Sequence, residues 1–192
     1  MSDKLWRLWY QQPAQAWVEA LPLGNGRLGA MVFGGVEHER LQLNEDTLWA
    51  GAPKDWNNPG ARAVLLKVRE ALFQASMGDP DGFERANDLC KEMQGPFTQP
   101  YLPLGDLYLD FTHTGTPAGY ERDLDLTRAL TTVNYTVDGV AFTRETFISR
   151  PDQVLVMRIA CDQPGALTFS ARMWSELRAE ATVHGNGILK LR

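Results

Sequence analysis

The chain has 192 residues, 44% hydrophobic and 22% charged, with a formal net charge of −5. That is an ordinary globular composition, and a chain of this length buries roughly 70% of its unfolded surface without disulfides or metals. No lysine or arginine run offsets the acidic balance, so the electrostatic footprint of a nucleic-acid binder is missing.

The start, MSDKLWRLWYQQPAQAW, has no long apolar core and no small-residue cleavage site, and no later stretch is long enough to span a bilayer. A cytoplasmic, reduced setting without a membrane partner is the expectation. Leu5 to Tyr10 predicts a first strand with an aromatic face, ended by Pro13. Trp17 to Leu21 leads into the stretch that organises the chain, Leu21 to Gly51. A turn at Gly24-Asn25-Gly26 opens into the apolar run Leu28 to Phe33, which Gly34-Gly35 break. A second strand follows from Glu39 to Leu43, with Leu41 and Leu43 on one face and Arg40 and Gln42 on the other. The pair predicts a hairpin that delivers a polar tip, Asn44-Glu45-Asp46, and the anchor Leu48-Trp49.

Pro53 to Gly60 is a loop. The period then changes. Val64, Leu65, Val68, Leu72 and Phe73 predict a helix over 61–77, capped by Asn57 or Asn58, with Pro59 in its first turn and Gly78 as its stop. A second helix is predicted from Asp79 or Asp81 to about Gln94, with Phe83, Ala86, Leu89, Cys90 and Met93 on one side. Together they form an αα-hairpin inserted at about 60–95.

Strand follows strand from Tyr101. Leu104 to Phe111 alternates, and His113 to Gly119 is a turn-rich connection. Leu124 and Leu126 form a short stretch, with Asp123 and Asp125 facing away. Ala129 to Val137 and Val140 to Ser149 are joined by the two-residue turn Asp138-Gly139. Gln153 to Cys161, Ala166 to Trp174, Ala181 to His184 and Ile188 to Leu191 complete the series. The prediction is a mainly β protein, one large antiparallel β-sandwich over 1–192 with the inserted αα-hairpin. Because Arg192 directly follows what reads as the opening of a strand, the domain is expected to be truncated at its C-terminal end.

His38, His113 and His184 sit in separate turns, so no metal centre is predicted, and nothing calls for a cofactor. Gly24 to Gly29 resembles a phosphate cradle but precedes a strand instead of opening a helix. Gly24 and Gly26 fit a tight turn, and Gly29 fits close backbone packing. Cys90 and Cys161 read as free core thiols. Glycosidic cleavage needs two carboxyl groups across one sugar ring. Glu45 and Asp46, as neighbours in an extended chain, point to opposite faces. Asp106 fits a turn residue bonding its own backbone, and Glu37, Glu39, Asp123 and Asp125 fit solvated faces. No catalytic pair is predicted in this chain. Asn44, Glu45 and Trp49 are the candidates for lining a pocket completed by other residues, or for a polar corner locking two sheets or two domains.

Four stretches, LPLGNGRLGAMVFGG, LQLNEDTLWAG, YLPLGDLYLDF and YERDLDLTRALTTVNYTVDGVAFTRETFISRPDQVLVMRI, closely resemble the N-terminal domain of glycoside hydrolase family 95, the inverting α-L-fucosidases. The resemblance runs from Trp17 to Arg192. It implies a β-sandwich of the supersandwich type, followed by a linker and an (α/α)6 barrel. It further implies hydrolysis of terminal α-linked L-fucose, with some members preferring α-L-galactose. The family's glutamate acid and its asparagine base, polarised by an aspartate, belong to the barrel, so none is carried onto this chain. The implied role is a non-catalytic module whose partners are that catalytic barrel of the same protein and a fucosylated glycan. The alternative is an autonomous carbohydrate-binding module using Trp6, Trp9, Trp49 or Trp56, since an indole face packs well on a pyranose ring.

Overall fold

Alternation along the strands decides which side chains meet, because successive residues of a strand point to opposite faces. The computed structural model describes residues 6–96 and 98–192. They divide into two compact units, 6–48 with 102–192, and the described residues between 49 and 101.

The first unit is built from strands. They are β1 (Arg7–Tyr10), β2 (Leu21–Gly24), β3 (Leu28–Val32), β4 (His38–Glu45), β5 (Gly105–Phe111), β6 (Ala118–Asp125), β7 (Leu130–Val137), β8 (Val140–Ser149), β9 (Val154–Cys161) and β10 (Phe169–Trp174). A final hairpin joins β11 (Ala181–His184) to β12 (Ile188–Leu191). One five-stranded sheet runs β1-β6-β7-β8-β9 and the other β10-β5-β4-β3-β2. Every pairing is antiparallel. Register places Leu21, Val32, Leu41 and Leu107 in one row across the second sheet. These side chains form the core with Leu23 and with Leu124 of the first sheet. Val36, Val133, Tyr135, Val137 and Phe142 make a second cluster. The mainly β architecture with two sheets and an inserted helical hairpin is therefore the one the sequence predicts.

The second unit holds α1 (Ala61–Ser76) and α2 (Gly82–Glu92). They pack through Val68, Ala71 and Ala86, with Val64, Leu89 and Met93 alongside. Among the described residues no helix is long and apolar enough to cross a membrane.

Several local expectations change. Leu21 to Gly24 is a strand in its own right, paired with β3 across the Asn25-Gly26 turn, and a short 3-10 turn precedes it at Trp17–Glu19. The first strand is described from Arg7, and Leu5 lies outside the described residues. Gly60, not an asparagine, occupies the N-cap of α1 without a side-chain cap. Asn58 instead accepts from the Gly60 N–H at 2.9 Å and donates to the carbonyls of Glu92 and Gln94 at 2.9 and 3.0 Å. It thereby ties the start of one helix to the end of the other. Phe73 and Phe83 are exposed instead of sharing the helix–helix face. Both cysteines are free, but Cys90 is exposed and Cys161 half-buried, so Cys90 is no core thiol. A Cβ at Gly29 would meet Asn44 Cβ at 3.6 Å, an ordinary contact, so packing there does not demand glycine.

Candidate functional site

The organising hairpin delivers its polar tip to a corner assembled from three turns. Asn25 Oδ1 accepts the N–H groups of Arg27 and Leu28 at 2.9 and 2.8 Å, which fixes the turn after β2. Its Nδ2 donates to the Ser149 carbonyl at 2.8 Å, joining that turn to the end of β8. Arg27 then spans the corner, donating to Gln153 Oε1 at 2.7 Å and pairing with Glu45 at 3.2 Å. Thr47 donates to Glu45 Oε2 through its hydroxyl at 2.6 Å and its N–H at 3.0 Å. The Thr47 hydroxyl, then its N–H and Arg27, hold the Glu45 carboxyl below the usual range, so Glu45 is an anion near neutrality and a poor proton donor. Asn44 stands opposite Gly29 in the β3–β4 ladder. Trp49 belongs to the other unit, where it bridges to Tyr101 with ring centroids 5.0 Å apart at 64°.

A second arrangement lies between the sheets. Glu39, expected on a solvated face, is 0% exposed. It lies two residues from Leu41 on the inward side of β4, so parity alone points it into the core. Arg144, 1% exposed on β8, pairs with it at 3.2 Å and donates to the Gly35 carbonyl at 2.6 Å. The Gly34 and Arg40 N–H groups donate to Glu39 Oε1 at 2.8 and 3.0 Å. Phe111 and Tyr135 rings lie 5.1 and 5.3 Å from the guanidinium carbon. Burial pushes the Glu39 carboxyl up, against the pull of Arg144 and the backbone donors. No substrate can reach it there. Arg122 is likewise buried, donating to the Gln12 and Glu19 carbonyls at 2.8 Å each.

The outward face of the second sheet carries a third set. Asp106 is 3% exposed and is no turn residue. It sits within β5, pairs with Arg40 at 2.8 Å and accepts from the Tyr108 hydroxyl at 3.0 Å. Asp110 bonds His38 at 2.9 Å and Arg172 at 3.2 Å, which hold its carboxyl low. Asp123, also expected in solvent, is buried on the first sheet's outward face because Arg7 clasps it at 2.9 Å together with Glu121. Asp125 does stay outward, held low by Thr127.

Two grooves open on the sandwich unit. One of about 420 Å³ includes Phe33, Val36, Glu37, His38 and Arg40 in its wall. The other, about 390 Å³, includes Leu130, Glu145, Phe147 and Arg158. Each presents a single carboxylate, and Glu145 is already paired with Arg158 at 3.0 Å. No cluster of three or more potential metal ligands occurs among the described residues. Glu45, Asp110 and Asp125 are held low by their donors, while Glu39 is raised but sealed. Among these four, none combines access with a raised carboxyl, which a proton donor across a sugar ring requires. Arg27, Gln153, Arg122 and Arg144 are the site-building residues that sequence reasoning missed. Arg144 was legible as an even partner of Phe142 and Thr146 on β8, whereas Gln153 depended on a contact 126 residues from Arg27.

The family model described as glycosyl hydrolase family 65, N-terminal domain, matches residues 8–191. The chain is 38% identical over 188 residues to Alpha-L-fucosidase 2 of Arabidopsis thaliana, covering 95% of this chain and 22% of that protein. It is 33% identical over 180 residues to Probable alpha-fucosidase A of Aspergillus niger, covering 88% of this chain and 21% of that one. Probable alpha-fucosidase A of Aspergillus oryzae is 29% identical over 148 residues, covering 73% and 19%. The relatives' names agree with the fucosidase resemblance of the motifs, and the family model bears the number 65 where the motifs suggest 95. The chain spans about a fifth of the length of these curated relatives.

Proposed function

The chain belongs to the family described as glycosyl hydrolase family 65, N-terminal domain, and from that premise we propose that it is the non-catalytic N-terminal module of an inverting glycosidase. The enzyme it serves releases terminal α-L-fucose, or α-L-galactose, from glycans. Proton donor and water-activating base reside in a helical barrel outside these residues. The sandwich braces that barrel, and its Asn25-Arg27-Glu45 corner stands at the edge of the sugar pocket. The observation that carries the reading is the state of the carboxylates. Glu45 and Asp110, at the surface, are held low by hydroxyl, amide, imidazole and guanidinium donors, Glu145 is tied to Arg158, and Glu39, which burial pushes up, is sealed between the sheets. A general acid needs both access and an elevated pKa.

The test is turnover of a chromogenic α-L-fucoside by the 192-residue chain and by the product of its complete reading frame. The chain alone is expected to give none and the longer product to turn over. Hydrolysis by the chain alone would falsify the assignment. Exposure of Trp6, Trp9, Trp49 and Trp56 favours a second reading, an autonomous carbohydrate-binding module. Against it, Lys54 Nζ covers one face of Trp56 at 4.1 Å from the ring centroid. Calorimetric titration of the chain with fucosylated oligosaccharides separates the two, heat of binding lost in Trp49→Ala favouring the second.

A further inference from the structure

The helix α1 is apolar on two opposite faces. At 3.6 residues per turn, Val64, Val68, Ala71 and Ala75 fall on one stripe, and Val68, Ala71 and Ala75 are buried. Leu66, Phe73 and the C-cap residue Met77 fall within about 40° of one another on the reverse side. These three are 66%, 63% and 74% exposed. An ordinary surface helix keeps its outer side polar, and a helix that is apolar all round belongs inside a larger core. Arg62 and Arg69, both exposed, lie one after the other along one border of the bare stripe.

We propose that the Leu66-Phe73-Met77 face is the docking surface for another segment of the same polypeptide. That segment lies outside the fifth of the relatives' length that this chain spans, and the inference rests on the N-terminal module reading. Its chemistry is an apolar surface bordered by carboxylates where it meets Arg62 and Arg69. Area argues for a tethered occupant. Three large side chains about two-thirds exposed offer roughly 400 Å². Two copies of this chain meeting face to face would bury about 800 Å², below the roughly 1,000 Å² that a stable free interface needs. A covalently linked segment binds at high effective concentration and needs less.

Hydroxyl-radical footprinting of Met77 and Phe73 tests this, in the 192-residue chain and in the product of the complete reading frame. Oxidation at both is expected to be at least tenfold slower in the longer product. In that product, the triple substitution Leu66→Ser, Phe73→Ser and Met77→Ser should split one calorimetric transition into two. The same substitutions should leave the melting of the 192-residue chain unchanged, since the stripe is no part of the α1–α2 packing. Equal labelling in both proteins overturns the proposal. So does protection that grows with the concentration of the short chain, which would mark a second copy, and so does a reading frame ending at Arg192. Fucoside turnover by a longer product whose Met77 stays open sinks the docking surface and leaves the proposed function standing.

Discussion

At the scale of single residues, the tie between the two sheets is Arg144 on Glu39, both fully enclosed. Replacing one partner strands a charge in a medium that solvates it poorly. Arg144→Met is therefore expected to cost about 3–5 kcal/mol in urea denaturation. The double variant with Glu39→Gln should recover part of that loss, because neither charge is then left alone. A single substitution costing less than about 1 kcal/mol would mean that water reaches the pair. The position of Glu39 is legible in the sequence: Leu41 and Leu43 share one face of the strand, and residue 39 has their parity. Its charge argues for solvent, but strand parity and the Arg144 partner decide the outcome. Asp123 and Asp106 were not legible in the same way. Both lie on outward faces, and their burial comes from arginines far off in sequence, Arg7 and Arg40.

At the scale of elements, two turns set the sheets' registers by different physics. Gly139 has φ 79°, and nothing lies within 4 Å of where its Cβ would be. Gly139→Ala should cost only the left-handed backbone term, about 1–2 kcal/mol. Gly35 is a packing requirement, since its Cβ would fall 1.9 Å from the His38 carbonyl oxygen. Gly35→Ala should cost about 3 kcal/mol or more by overpacking. Urea midpoints of both variants check the order, and equal costs would refute it. The Asp138-Gly139 hairpin was readable because local dihedral preference dictates it, and the alternation of β7 and β8 agrees with it. The strand β2 is faint in the sequence because LPLG carries a proline and has only four residues. Its pairing with β3 supplies what its own propensity does not. The outer stripe of α1 is harder to read, because Leu65, Leu72 and Phe73 show the helical period without saying which apolar side faces α2.

At the scale of the whole molecule, the helical unit interrupts the sandwich at one point. The Leu102 N–H donates to the Leu48 carbonyl at 2.9 Å, so the sandwich closes its own backbone where 49–101 departs. The sandwich clusters and the α1–α2 cluster share no residue. Replacing 49–101 by a short glycine-serine link is expected to leave a cooperatively melting sandwich, its Tm within about 5 °C of the parent, the shift that roughly 1 kcal/mol produces. Loss of near-ultraviolet circular dichroism on deletion would show instead that the insertion is part of the folding unit. The adjacency of β4 and β5 on either side of that interruption has a further consequence during synthesis. The ribosome releases Leu41 and Leu43 well before the strand that covers them exists. For that interval the middle of one sheet is an unzipped seam, and a nascent chain in that condition is a natural client for chaperones.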